Sequence, residues 1–191
     1  MRPRLTPEAT CAAFGVSPDR FVVATLHRDY NVDDPHSLRG LLEGLARVQE
    51  EYGLTVLLPL HPRTRRRIAE HGLGDAAAVL RTCDPVGYLE LMSLTSAAAF
   101  VITDSGGLQK EAFYAGKRCA VMMPDTGWRE LTACGWNALC VPEPQSILRA
   151  TASLLTPVPH PGNVYGNGRA AENIIRAILG AGFSPVATPC L

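Results

Sequence analysis

The sequence carries no net charge, with 18 Lys and Arg against 18 Asp and Glu. That argues against a nucleic-acid or anionic-membrane partner held by bulk charge. It has no signal-peptide pattern and no apolar run approaching the ~20 residues of a membrane span. Its six cysteines, at 11, 83, 119, 134, 140 and 190, show no C-x-x-C spacing. Most sit in apolar surroundings, as buried free thiols do in a reducing compartment. The one charge cluster, Arg63, Arg65, Arg66 and Arg67, has no aromatic residue between its members and reads as a solvated helix face. Repeats and an internal domain boundary are lacking, as is any motif for a metal or cofactor. These absences point to a soluble cytoplasmic protein. What is present suffices for a core: 191 residues, 47% of them apolar, read as one domain over 1–191.

Apolar and helical segments alternate along the chain. Thr6, Pro7 and Glu8 open a short helix as N-cap, first helical residue and first-turn acid, and Gly15 stops it. Residues 21–26 are a nearly continuous apolar strand, of the kind buried on both faces of a parallel sheet. Asp34-Pro35 begins a long helix with Leu38, Leu41, Leu42, Leu45 and Val48 on one face. A strand over 54–58 should lose regular pairing near Pro59, and a basic helix runs from His61-Pro62-Arg63-Thr64 to Glu70. Strands are expected at 78–80, 98–102, 118–123 and 137–141. Helices are expected at 89–95, 108–115, 129–133, 145–155 and 170–179, with a loose tail over 183–191. The alternation predicts an α/β fold, a single doubly wound parallel sheet of Rossmann-like type.

The strand entering Asp104 organises the rest. It stops at Asp104-Ser105-Gly106-Gly107, and a helix follows. The N–H groups of Ser105, Gly106 and Gly107, at the positive end of that helix, are a candidate anion site. Glycines lack Cβ, so a phosphate can approach the main chain. Glu111, one turn on, can accept hydrogen bonds from a ribose diol. Taken alone, the turn fits equally well an ordinary strand–helix turn with glycines for packing. Ligands of such sheets bind beyond the carboxyl ends of the strands. Four polar clusters fall there: His27/Arg28, His61/Arg63, Asp104/Ser105 and Thr126/Trp128. The combination favours a ligand site.

Six segments carry a resemblance, in order and in register. They are Thr25-Leu26-His27-Arg28, Pro59-Leu60-His61-Pro62-Arg63-Thr64, Asp84-Pro85-Val86-Gly87-Tyr88-Leu89, Thr103 through Gly107 with Glu111-Ala112, Ala133-Cys134-Gly135-Trp136-Asn137, and Tyr165-Gly166-Asn167-Gly168. The chain resembles the non-hydrolysing UDP-N-acetylglucosamine 2-epimerases, over the carboxyl-terminal half of that family. The resemblance implies the nucleotide-binding half of a glycosyltransferase-B type fold, with UDP or a UDP-N-acetylhexosamine as ligand. Ser105, Gly106 and Gly107 match residues that hold the UDP phosphates, and Glu111 the carboxylate on the ribose. His27 matches the histidine near the diphosphate, where it could neutralise UDP as it leaves C1, and Arg28 reads as a phosphate or structural partner. Arg63, Asp104, Thr126 and Trp128 are further candidate contacts; His61 reads as loop structure. The acid and base for the C2 proton belong to the family's amino-terminal domain, and nothing here matches them. The implied partner is therefore a separate amino-terminal-half polypeptide or another copy in a homo-oligomer. A UDP-binding module without chemistry, and half of a glycosyltransferase, are the alternatives.

The sequence also departs from the family pattern. Tyr30 stands where the family has Glu, Met123 where it has Arg, Gly127 where it has an acid, Lys110 where it has Glu, and Cys134 where it has a small residue.

Overall fold

The computed structural model describes residues 6–180. The expected tail at 183–191 and Cys190 lie outside them. Along the chain the elements are α1 (Pro7–Phe14), β1 (Phe21–Thr25), α2 (Asp29–Val32), α3 (Pro35–Tyr52), β2 (Thr55–Pro59), α4 (Pro62–Glu70), α5 (Gly74–Ala78) and β3 (Arg81–Cys83). There follow α6 (Tyr88–Ala97), β4 (Phe100–Thr103), α7 (Gly106–Tyr114), β5 (Cys119–Val121), α8 (Arg129–Ala133), β6 (Ala138–Leu139), α9 (Pro144–Leu155) and α10 (Ala170–Ile178).

All six strands pair in parallel, in the order β3-β2-β1-β4-β5-β6. The chain builds outward from β1 to β3, returns to lay β4 against the other side of β1, and continues outward to β6. The direction reverses between β1 and β4, where doubly wound sheets form a crevice at the strand ends.

Alternation along the strands gives the sheet two apolar faces. Val22, Ala24, Val56, Leu58, Ile102 and Ala120 pack with the buried faces of α3, α5 and α9. Phe21, Val23 and Leu57 meet α1 and α6, and Val101, Cys119 and Val121 meet α6 and α7. The long helix forms as its sequence suggests. Asp34 accepts from Ser37 N–H at 2.8 Å at its start, and Gly53 ends it with φ 61°.

One local expectation is corrected. The strand expected at 78–80 is the end of α5 and the turn after it, and the true strand lies at Arg81–Cys83. Leu73, Ala77 and Leu80 are buried at helical spacing, and the run of alanines favours helix. The edge strand β3 is largely exposed and so has no apolar pattern to reveal it. The polar run Asp29–Val32 winds into one helical turn, with Asn31 and Val32 N–H both donating to Arg28 C=O at 3.0 Å. β2 ends at Pro59 as expected, its last ladder bond running from Leu60 N–H to Cys83 C=O at 2.9 Å. Among the described residues no helix is long and apolar enough to cross a membrane.

Candidate functional site

Asp104 follows β4 and is fully buried. Its carboxylate accepts from His27 N–H at 2.9 Å, Arg28 N–H at 2.9 Å, the Asn31 amide at 3.2 Å and His27 Nδ1 at 2.9 Å. The loop after β1 is therefore wrapped around one carboxylate. Burial pushes the Asp104 pKa up, but the bonds from the His27 ring and from the Arg28 and His27 amides outweigh it, and the net shift is downward. An ionised carboxylate only accepts, so the His27 proton facing it sits on Nδ1. Asn31 also donates to Met122 C=O at 2.9 Å and so ties the loop to the end of β5.

The glycine turn is built next to this hub. Thr103 Oγ1 lies 2.6 Å from Thr25 Oγ1 and accepts from Ser105 N–H at 2.9 Å. Ser105 Oγ caps α7, accepting from Leu108 N–H at 3.3 Å. The Ser105 amide is thus engaged by the protein, contrary to the expectation that it lies open to an anion. The open amides are those of Gly106 and Gly107, the first two residues of α7, with no carbonyl one helical turn back to receive them.

These two glycines also decide between packing and approach. Neither has positive φ. A Cβ at Gly106 would find its nearest neighbour at 4.0 Å, and one at Gly107 at 3.9 Å. Nothing in the protein's own packing or backbone conformation requires glycine at either place.

A cleft of about 390 Å³ opens at this edge, between the ends of β1, β2 and β4. Its polar lining comprises Thr25, His27, His61, Ser105, Gly107 and Glu111. Leu26, Pro59, Pro85, Val86, Leu91 and Leu108 make it apolar elsewhere. The volume lies within the usual range for small-molecule sites. Burial alone pushes the Glu111 pKa up. A larger, open hollow of about 690 Å³ at the opposite end of the strands, around Gln49, Val79 and Arg81, gathers no comparable set of groups.

The candidate residues therefore divide. His27, Ser105, Gly107 and Glu111 line the cleft, and Gly106 sits beside it in the turn. Arg28 donates from Nε to Asp104 C=O at 3.3 Å, on the outside of the hub. Asp104 has no exposed surface and acts on the cleft only through His27. Arg63 does not line the cleft: with Arg67 it is ion-paired to Asp33. The arginine cluster otherwise keeps the expected solvated face: Arg65 and Arg66 are exposed and make surface ion pairs with Asp84 and Glu70. Thr126 is buried and donates to Gln109 Oε1 at 2.7 Å. Trp128 donates from its indole to Gly106 C=O at 2.6 Å. His61 Nδ1 accepts from Arg63 N–H at 3.2 Å and so caps α4, yet its ring is also in the cleft, 6.1 Å from that of His27.

Asn31, Gln109 and the apolar wall of Pro85, Val86 and Leu91 were not singled out from the sequence. Pro85 and Val86 carried a usable signal, lying just after a strand in a matched segment. Among the described residues no cluster of His, Cys, Asp or Glu suits a metal ion.

Comparison with known proteins decides the family. Residues 3–179 match the family model described as UDP-N-acetylglucosamine 2-epimerase. The chain belongs to the UDP-N-acetylglucosamine 2-epimerase family. A UDP-2,3-diacetamido-2,3-dideoxy-D-glucuronate 2-epimerase of Pseudomonas aeruginosa is 44% identical over 159 residues, covering 83% of this chain and 44% of the relative. The UDP-N-acetylglucosamine 2-epimerase of Methanocaldococcus jannaschii is 32% identical over 166 residues, 85% of this chain and 45% of its own length. A crystal structure of that archaeal enzyme with UDP-GlcNAc and UDP superposes with a TM-score of 0.78 at 32% identity, over 92% of this chain and 49% of the other. An Escherichia coli ADP-heptose heptosyltransferase II shares the fold alone, with a TM-score of 0.54 at 17% identity. This chain has the carboxyl-terminal half of the glycosyltransferase-B type fold and spans about half the length of the curated relatives it matches.

Proposed function

We propose that this chain is the UDP- or UDP-sugar-binding half of a 2-epimerase acting on a UDP-N-acetylhexosamine. The observation that carries the reading is the pair Gly106 and Gly107, glycines with open amides that the fold itself does not need. A diphosphate seated there meets two N–H donors and the positive end of α7. The archaeal relative crystallised with UDP-GlcNAc and UDP supports the ligand class. Glu111, one helical turn deeper, accepts from the ribose hydroxyls, and Pro85, Val86 and Leu91 offer the base an apolar wall.

His27 faces the same space. Asp104 fixes its ring with the proton on Nδ1, which leaves Nε2 to take up a second proton. The resulting imidazolium, stabilised by the Asp104 carboxylate, offsets the charge that grows on UDP as the C1–O bond breaks. Epimerisation at C2 then follows by elimination of UDP and its re-addition. The acid and base for the C2 proton come from an amino-terminal half that partners this domain. The outer face of α10 supports such a partner: Ile174, Ile175, Ile178 and Leu179 are all more than half exposed.

Calorimetric titration with UDP tests the reading, with Glu111→Ala beside the wild type. Saturable binding, weakened about tenfold by loss of a charge-assisted hydrogen bond, is expected. No binding at millimolar UDP, or equal binding by both proteins, overturns it. Should UDP bind but no epimerisation follow when the amino-terminal half of a family member is added, the chain is a binding module without chemistry.

A further inference from the structure

We infer that Trp128 is a positioning residue for the diphosphate turn, an inference that rests on the UDP reading above. The loop after β5 reaches across to the first turn of α7 at two points. Thr126 Oγ1 donates to the fully buried Gln109 side chain at 2.7 Å and accepts from Trp128 N–H at 3.2 Å. The Trp128 indole N–H then donates to Gly106 C=O at 2.6 Å. In a trans peptide the C=O and the following N–H point in opposite directions. Holding Gly106 C=O on the loop side therefore fixes the Gly107 N–H on the cleft side, where Gly107 lines the cavity. The same bond polarises that peptide and makes its N–H a stronger donor.

Two adjacent glycines at a helix start are the least constrained backbone available. An anion gains little from two amides that swing, so an external strap has a clear task here. Trp128 is itself held as it would need to be: Lys110 Nζ lies 4.4 Å from its ring centre, and Tyr165 packs edge-on at 5.5 Å. Trp128 does not line the cleft and acts only through Gly106.

The test is NMR titration of wild type and Trp128→Phe with UDP and, separately, with uridine. Phe keeps the half-buried ring between Lys110 and Tyr165 but removes the N–H, so the melting temperature should stay within a few degrees. The UDP dissociation constant should rise about tenfold while that of uridine is unchanged, because only the phosphates meet the turn. Equal UDP affinity in the two proteins overturns the positioning role. Equal losses for UDP and uridine also overturn it, since they report a general packing defect. Failure of the wild type to bind UDP defeats the binding reading first, and the positioning role with it.

Discussion

Asp104→Asn separates the fold from the chemistry of His27. The substitution keeps the volume of a side chain that has no exposed surface. Three donors share one carboxylate oxygen: His27 N–H and Arg28 N–H at 2.9 Å and the Asn31 amide at 3.2 Å. The Asn carbonyl can take that place, which turns its –NH2 toward His27 Nδ1. Hydrogen bonds to a charged acceptor contribute about 1.5–3 kcal/mol each and neutral ones about 0.5–1.5, so three such bonds lose about 3 kcal/mol together. Relief of the burial cost of the charge offsets part of this, leaving a loss of about 2 kcal/mol. In a chain of this length that is a fall of about 4–8 °C in melting temperature. The Asp104 pKa is held low in the fold, so its contribution is complete above the ordinary carboxylate range and fades as pH falls below it. The gap between wild type and Asp104→Asn should therefore narrow in acid. Because the Asn –NH2 donates, His27 must accept at Nδ1 and move its proton to Nε2. Nitrogen-15 shifts of the imidazole read this directly. A variant as stable as the wild type, with the proton still on Nδ1, would refute the hub.

Two further outcomes concern the scaffold. Gly40→Ala places its Cβ 2.1 Å from Pro142 C=O, which is backbone and cannot swing aside. The gain of about 1 kcal/mol in helix propensity is then overridden and a net loss of about 1–3 kcal/mol is expected. Gly44→Ala meets side-chain atoms of Ile147, with Cδ1 at 2.4 Å and Cβ at 3.3 Å, and no backbone, and should cost less; a stabilised Gly40→Ala protein in thermal melts would contradict the contact. Asp33, hydrogen-bonded by Arg63 and Arg67, has its pKa lowered from 3.8 to about 2. Its stabilisation is present above pH 3.8 and is lost as pH falls toward 2. Asp33→Asn should melt below the wild type at pH 6 and converge with it near pH 2; a constant difference across that range would discount the arginine clamp.

The order of elements was legible because buried parallel strands announce themselves as continuous apolar runs. The edge strand β3 does not, since its side chains face water and its neighbour α5 has the helix-forming alanines. At the site, residue types were legible but their tasks were not. Asp104, Thr126 and Trp128 all follow strands, as ligand contacts do. Each instead turns toward protein: Asp104 to the loop after β1, Thr126 to Gln109, Trp128 to Gly106. Spacing along a chain shows that a side chain lies at the crevice. Whether it faces the ligand or braces a group that does is set by partners distant in sequence, such as Asn31 and Gln109.

The departures from the family pattern also acquire a physical account. Tyr30 and Met123, where the resemblance implies Glu and Arg, line the same hollow of about 200 Å³, with Pro124, Cys140 and Val141. The two opposite charges that the resemblance implies are thus both absent from one place. Removing one of a pair leaves the other uncompensated, whereas replacing both by apolar groups is close to neutral. Met123 is drawn into the same scaffold, its sulfur accepting from Gln109 Nε2 at 3.6 Å. A Cβ on Gly127 would meet nothing within 4 Å, so the protein's own packing does not require glycine there. None of the three residues lines the cleft around Gly107 and His27. Met123, through Gln109, and Gly127, between Thr126 and Trp128, nevertheless belong to the loop that straps Gly106, so these two positions reach the diphosphate turn through protein.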